Sequence, residues 1–230
     1  MATPALIARL REGRETWNRW RAAHPEEPLL FFDHDFTDAD LAGCDLSGAE
    51  FTKCELSRAN LAGSGLSGAS LRACRLESAD LSGAVLDGAE IVDCQAANAQ
   101  LTSARAGETS FLRSDLTGAS LRDLRAAESR FAGATLDGAD FTSARLSGAG
   151  FGAASLVGAV FRGADLEGAL FDEAQLARAD FREAHCVGTS FRHAELTDID
   201  FRGADVKTAR FDATYSSRLE GAGPDQGDSP

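Results

Sequence analysis

The sequence places an apolar residue at every fifth position from Phe36 to Phe211, without an insertion or a deletion. A period of five matches neither the 3.6-residue period of an α-helix nor the two-residue alternation of a long strand. Short extended segments joined by regular corners satisfy it, because alternation directs the apolar residue and the small residue two positions earlier to the same side. The pattern therefore predicts a β-solenoid, whose stacked coils bury one continuous narrow core.

The repeat units themselves resemble those of the pentapeptide-repeat family. Clear examples are Ala-Asp-Leu-Ser-Gly at 79–83, Ala-Asp-Phe-Thr-Ser at 139–143 and Ala-Asp-Leu-Glu-Gly at 164–168. This resemblance implies an all-β, right-handed quadrilateral β-helix with four pentapeptides in each coil. For a chain of this length it implies about nine coils.

The phenylalanines test the number of sides independently. One recurs every tenth residue from Phe131 to Phe211, and the alternate central positions hold non-aromatic residues, mostly leucine. In a four-sided coil a step of ten residues reaches the opposite wall, so two phenylalanine ladders would face each other. The first ladder would contain Phe111, Phe131, Phe151, Phe171, Phe191 and Phe211, and the second Phe141, Phe161, Phe181 and Phe201. A three-sided coil would mix phenylalanine with leucine on every wall, so the pattern favours four sides.

The middle of the array departs from this pattern. Ala96, Ala106 and Ala126 replace large central residues, and Leu124 stands where a small residue is usual. Leu124 would fill space that Ala126 leaves, an exchange of volume that protein cores tolerate. Residues 92–130 are therefore predicted to be the place for a bend, a thinner core or local mobility.

All five cysteines fall on inward positions of the repeat. Cys44, Cys54, Cys74 and Cys94 occupy the small inward position, and Cys186 occupies the central one. We interpret them as small buried hydrophobic residues. An odd number without paired spacing argues against a disulfide framework, and no pair has the spacing of metal ligands.

The two ends of the array differ. Residues 1–28 predict a capping helix and linker, with Thr3 as N-cap, Pro4 in the first turn and His24-Pro25 at the end. One face of this helix carries an apolar stripe of Leu6, Leu10, Gly13, Trp17 and Trp20. We expect the two tryptophans to pack over the first coil. The alternative is that they form a partner-binding surface. Residues 29–214 form the predicted β-helix.

Residues 215–230 are rich in Ser, Gly, Asp and Pro and predict a disordered tail. No second cap is evident, so the last coil would expose its apolar cross-section. We therefore expect two chains to meet end to end there, as a homodimer. The candidate contact residues are Phe201, Val206, Phe211 and Tyr215.

Net charge limits the classes of partner. The chain carries a formal charge of -13 and has a pI near 4.7, so nucleic acid phosphates and anionic membranes would repel it. It has no apolar run of membrane-spanning length and no basic segment followed by an apolar core of the secretory type. The cytoplasm is the expected compartment.

No catalytic constellation is evident in the sequence. His185 and Cys186 are adjacent, but the repeat directs Cys186 inward and His185 outward, so the two cannot converge. We predict a protein that is not an enzyme and that needs no cofactor and no metal.

Outward charges differ among the four walls. The wall with central residues Phe36, Leu56, Leu76 and every twentieth residue onward, here called the acidic wall, has eight acids against three arginines, a net charge of -5. The other walls come to -3, -3 and 0 by the same count. The acids are Asp35, Asp38, Glu55, Glu77, Asp115, Asp137, Glu195 and Asp198, and they form the candidate partner-binding face. Two rows are basic, Arg105–Arg125–Arg145 and Arg162–Arg182–Arg202.

Two functions of different classes fit these features. The first is a rigid protein–protein interaction module or scaffold whose partner the sequence does not identify. The second follows from the family resemblance, since some members mimic a DNA duplex and bind a type II topoisomerase (gyrase or topoisomerase IV), protecting it from quinolone-like poisons. A contiguous negative stripe along one wall would favour mimicry, and a patchwork of charges would favour the module.

Overall fold

The computed structural model describes residues 4–213. Two helices, α1 (Pro4–Arg11) and α2 (Arg14–Ala23), precede four three-residue strands. The strands are β1 (Leu30–Phe32), β2 (Glu50–Thr52), β3 (Ser70–Arg72) and β4 (Glu90–Val92). They form one parallel sheet in the order β1-β2-β3-β4, and every paired residue is twenty positions from its partner.

The twenty-residue register holds on every wall. Isolated parallel bridges continue it from Asp35↔Glu55 to Ser190↔Arg210. One coil therefore takes four pentapeptides, which confirms the prediction of a four-sided parallel β-helix. The right-handed path and the total of about nine coils stay predictions.

Each corner of the coil is a tight turn. Ala144 N–H donates to the carbonyl oxygen of Phe141 at 3.0 Å, and Ser143 between them has φ 60°. Most residues avoid this left-handed conformation and glycine adopts it freely, which explains the frequent glycine two positions after each central residue. Gly88, with φ 69°, is one such corner.

Stacked aromatic rings fill the later coils. The rings of Phe131 and Phe151 are 4.8 Å apart with 2° between their planes, and Phe141 meets Phe131 edge to face at 5.8 Å. The two predicted ladders are confirmed, and they touch across the core. A further ring, Phe31, is buried and stacks on Phe51 at 4.7 Å. The solenoid therefore begins one pentapeptide before the pattern that starts at Phe36.

The backbone ladder crosses the irregular middle coils without interruption. Ala106 N–H donates to Arg125 O at 2.7 Å, and Ala126 N–H donates to Arg145 O at 2.8 Å, as in the regular coils. Leu124 and Ala126 are both fully buried. The large Leu124 side chain, at the position that is usually small, is therefore buried next to the small central residue Ala126, as the predicted exchange of volume requires.

The N-terminal segment contains two helices, and the prediction of one continuous helix was wrong. Gly13, which we placed on the apolar stripe, has φ 99° and is the N-cap of α2. Such a backbone angle lies outside the helical region, so the chain breaks there. Leu6, Leu10 and Trp17 are buried as expected, and Trp20 is partly buried.

Helix α2 is bound to the first coil through polar contacts with the backbone. Trp17 Nε1–H donates to Asp45 O at 2.8 Å. The side chain of Asn18 donates to Gly43 O at 2.9 Å and accepts from Asp45 N–H at 2.8 Å. These contacts favour packing over the first coil as the role of Trp17. The predicted N-cap, Thr3, lies outside the described residues.

The last described coil is more open than those before it. Phe201, Val206 and Phe211 are partly exposed, whereas Phe181 and Phe191 are fully buried. Tyr215 and the predicted tail at 215–230 lie outside the described residues. Among residues 4–213 no helix is long and apolar enough to cross a bilayer.

Candidate functional site

The N-terminal half of the acidic wall is largely neutralised by arginine. Arg58 binds Asp38 one coil away through two hydrogen bonds of 2.8 Å. Arg75 lies 3.3 Å from a carboxylate oxygen of Glu55 and 3.0 Å from one of Glu77. Three of the eight predicted acids are therefore paired within the wall.

The five remaining acids of this wall fall into three separate groups. Asp35 accepts the Thr37 N–H at 2.9 Å, and hydrogen bonds from Thr37 lower the pKa of Asp35. Asp115 and Asp137 lie in the middle coils, and Glu195 and Asp198 lie in the last one. One coil without an outward acid on this wall precedes Asp115, and two such coils separate the middle pair from the last pair. The structure does not bring the eight predicted residues into one stripe, and the negative charge is a patchwork.

The row Arg162–Arg182–Arg202, here called the paired row, is matched by carboxylates. Arg182 and Arg202 lie 2.6 Å from Asp180 and Asp200 respectively, and Arg162 lies 3.5 Å from Glu183. The hydrogen bond from Arg202 lowers the pKa of Asp200 to about 2. This row is a structural network, in which each guanidinium has a partner.

The row Arg105–Arg125–Arg145, here called the basic row, differs. Arg105 pairs with Asp87 at 2.7 Å, whereas Arg125 and Arg145 have no ion pair with any residue between 4 and 213. A groove of about 240 Å³ runs beside the row. Its lining consists of Asp87, Arg105, Gly107, Arg125, Ala126, Ala127 and Arg145. The sequence shows both rows, but only the structure shows that one of them is largely unpaired.

One cluster of possible metal ligands was not predicted from the sequence. Asp165, Glu167 and His185 place three ligand atoms within 4.8 Å of one another. The sequence contained the necessary information, because Asp165 and His185 are twenty residues apart and therefore lie next to each other on adjacent coils. The cluster is largely exposed, and Arg145 precedes it in the same column. Exposed acidic groups commonly lie this close without an ion, so we assign none.

All five cysteines are free thiols and buried, as predicted. Cys54, Cys74 and Cys94 follow one another in a column, and each Sγ–H donates to a carbonyl oxygen of the preceding coil, at 3.4, 3.4 and 3.3 Å. Burial raises the pKa of Cys186 to about 12. Because Cys186 is fully buried while His185 is exposed, the pair cannot act as nucleophile and base.

A family model described as pentapeptide repeats matches the chain in eight copies. The matched segments are 35–72, 64–96, 127–163, 144–176 and 169–207, more than half of the sequence. The unmatched stretch, 97–126, contains Ala106, Leu124 and Ala126, whose departures from the repeat are described above. No curated protein matches the chain.

Several solved structures share the fold. HetL, a pentapeptide repeat protein involved in heterocyst differentiation regulation in the cyanobacterium Nostoc sp. strain PCC 7120, is 26% identical with a TM-score of 0.57, and the match covers 78% of this chain and 86% of HetL. A trypsin-treated form of QnrB1, a plasmid-mediated fluoroquinolone resistance protein, is 18% identical with a TM-score of 0.70, covering 85% and 96%. At that identity QnrB1 supports the fold alone. Together with the twenty-residue register, the family match shows that this chain belongs to the pentapeptide-repeat family.

Proposed function

We propose that this protein is a non-enzymatic interaction module, a right-handed rod of about nine coils capped by α1 and α2 that holds partner proteins against its walls. The repeat domain would extend over 29–214. The observation that carries the proposal is the constant register, which fixes outward side chains twenty residues apart in straight columns. The touching phenylalanine ladders fill the later coils, so the interior there offers no chamber for a substrate.

Five buried free thiols suit a reducing compartment, and we propose that the module works in the cytoplasm. Ion pairs within the walls reduce the net field of each face. The patchwork on the acidic wall therefore supports a docking surface for a protein over a continuous imitation of DNA phosphates.

Site-specific photo-crosslinking tests the module. A photoreactive benzoylphenylalanine is placed at one outward position per wall, namely Thr117, Thr142, Ser147 or Ala132, in the living producer cell. We expect one wall to crosslink one dominant protein, and a charge reversal on that wall to abolish the product. Equal labelling from all four walls, or no product from any, would contradict a docked partner.

DNA mimicry is the second candidate function, and four acids of the acidic wall support it. Asp115, Asp137, Glu195 and Asp198 have no ion pair with any residue in the described range, and the whole chain is acidic. The partner would be gyrase or topoisomerase IV. A supercoiling assay with and without a fluoroquinolone tests this function, since a mimic should inhibit supercoiling or reduce the amount of cleaved DNA. If the protein does neither at a tenfold excess over enzyme, the mimicry proposal fails.

We also propose a homodimer through the last coil, because Phe201 and Val206 are partly exposed there. Sedimentation at micromolar concentration should give the mass of two chains, and Val206→Asp should give one. A matched substitution of an exposed residue far from the end, Thr117→Asp, should leave the dimer intact. A monomeric wild-type mass removes this proposal.

A further inference from the structure

The basic row concentrates like charge in an acidic protein. Arg105, Arg125 and Arg145 are consecutive bridge partners in one column. Adjacent coils are about 4.8 Å apart, so these side chains start from neighbouring backbone positions. Like charges directly opposite one another on parallel segments destabilise a sheet unless anions compensate them.

Within the described range, 4–213, only the first arginine of the row has a compensating anion. Asp87 accepts a hydrogen bond from the Arg105 guanidinium at 2.7 Å and a second from Gly107 N–H at 3.0 Å. The carboxylate therefore bridges a guanidinium and a backbone amide of the next coil. Charge-assisted bonds of this kind are stronger than bonds between neutral groups.

The bridge to a backbone amide recurs elsewhere in the solenoid. Asp137 accepts Val157 N–H at 3.0 Å, and Asp172 accepts Arg192 N–H at 3.2 Å. In each case an aspartate just after a central residue binds the amide twenty residues later. The fold thus has a standard place for a carboxylate against the following coil.

The next two coils of the basic row lack this carboxylate. The positions equivalent to Asp87 hold Gly107 and Ala127. Within residues 4–213, no hydrogen bond joins the N–H of Ala127 or of Ser147 to an acceptor. The guanidinium groups of Arg125 and Arg145 and these two amides therefore form two further sets of the donors that bind Asp87. The groove beside them is lined by the small residues Gly107, Ala126 and Ala127.

We propose that Arg125 with Ala127 N–H, and Arg145 with Ser147 N–H, bind two carboxylates of an acidic segment of a partner protein. Each carboxylate repeats the contacts of Asp87. An extended segment lying along the solenoid axis presents same-side carboxylates about 7 Å apart, a spacing that flexible arginine side chains can span. The inference rests on the proposed role as an interaction module and names one of its docking surfaces.

The surroundings of the row favour a short acidic peptide over a nucleic acid. Asp87 pairs with Arg105 at one end of the row, Asp165 follows Arg145 in the same column at the other end, and Glu108 and Glu128 lie at the adjoining corner. A strand of nucleic acid would extend past these acids and be repelled, as it would by the net charge of -13. A segment with two or three carboxylates fits between them.

Fluorescence anisotropy with the labelled pentapeptide Gly-Asp-Ser-Asp-Gly, whose two carboxylates lie on the same side of an extended chain, tests the proposal. We expect saturable binding at low salt that weakens as salt rises, and a loss of about tenfold in affinity in the double variant Arg125→Gln/Arg145→Gln. The matched control is Arg162→Gln/Arg202→Gln in the paired row, which removes the same charge. Equal loss in both double variants, or binding of single-stranded DNA at least as tight as of the peptide, overturns the proposal.

Two further readouts are specific to the geometry. Ala127→Asp places a carboxylate at the position that Asp87 occupies two coils earlier, so it should pair with Arg145 and weaken peptide binding while both arginines remain. In amide NMR spectra, the signals of Ala127 and Ser147 should shift on adding peptide, and those of Val157 and Arg192 should stay. Unshifted signals at 127 and 147 contradict the proposed contacts. If these tests fail, the interaction module itself is still tested by the crosslinking experiment, because that experiment probes all four walls and not the basic row alone.

Discussion

The rings of Phe151 and Phe171 stack at 4.6 Å with 1° between their planes, although twenty residues separate them in the sequence. Both are fully buried, and each also meets Phe161 of the opposite ladder edge to face. Every inner ring of the ladders thus contacts both its own ladder and the facing one. The aromatic core of the later coils is a continuous network of ring contacts.

We expect Phe171→Ala to lower the free energy of unfolding by about 3–5 kcal/mol, because it leaves a cavity between stacked rings that cannot collapse. Chemical denaturation of the purified protein measures the loss. Leu170→Ala is the control, since Leu170 is 45% exposed and its truncation should cost less than about 1 kcal/mol. Similar losses in the two variants would show that the ladder adds nothing special.

The exchange between Leu124 and Ala126 predicts strong coupling. Leu124→Ala should cost about 2–5 kcal/mol, and Ala126→Leu should cost about 1–3 kcal/mol through overpacking. The double variant restores the usual small–large order of the repeat, so its cost should be well below the sum of the two. A thermodynamic cycle from denaturation curves measures the coupling, and additive costs would contradict the exchange of volume.

Asp200 should titrate at unusually low pH. The hydrogen bond from Arg202 lowers its pKa to about 2 from 3.8, and Arg182 contributes further. Because the folded pKa is lower than the unfolded one, this carboxylate stabilises the fold above about pH 4, and that stability is lost as pH falls towards 2. Carboxyl NMR should show the midpoint near 2, and Arg202→Gln should raise it.

Arg192→Gln, which removes an arginine from the opposite wall, is the control for Asp200 and should leave the midpoint unchanged. A wild-type midpoint near 3.8 would show that the Arg202 contact does not hold in solution.

The cysteines should resist thiol reagents in the folded protein. Burial raises the pKa of Cys44 to about 11 and that of Cys186 to about 12, so their reactive thiolates are scarce at pH 8. Burial in the core shields the other three thiols from the reagent. An aromatic disulfide reagent should label none of the five thiols before unfolding and all five in denaturant. Ser147→Cys, on an outward position, provides a positive control that should react at once. Rapid labelling of any native thiol contradicts the buried geometry.

Much of the fold could be predicted from the sequence, because the core pattern has a single period. The spacing of Phe131, Phe141 and Phe151 alone distinguishes four sides from three, and the structure agrees. The break at Gly13 was missed because that residue falls on a helical stripe by spacing. Because glycine destabilises the interior of a helix, Gly13 already indicated that the helix could break at that position.

The site was harder to predict, because formal charges say nothing about pairing. Asp38 and Arg58 are twenty residues apart, so the register explains their contact once it is known. Counting charges on the acidic wall nevertheless treats Asp38 as free. The difference between the paired row and the basic row depends on side chains of neighbouring coils, such as Asp87 beside Arg105, and only coordinates reveal it.

The twenty-residue register also constrains how such a gene can change in length. Losing one pentapeptide keeps every large residue inside, yet it turns all later segments by a quarter of a circuit and sends their columns to new walls. Losing four at once shortens the rod and leaves each column in line. Evolution can therefore adjust length in steps of twenty while preserving a recognition surface, and smaller steps create new surfaces from an unchanged interior.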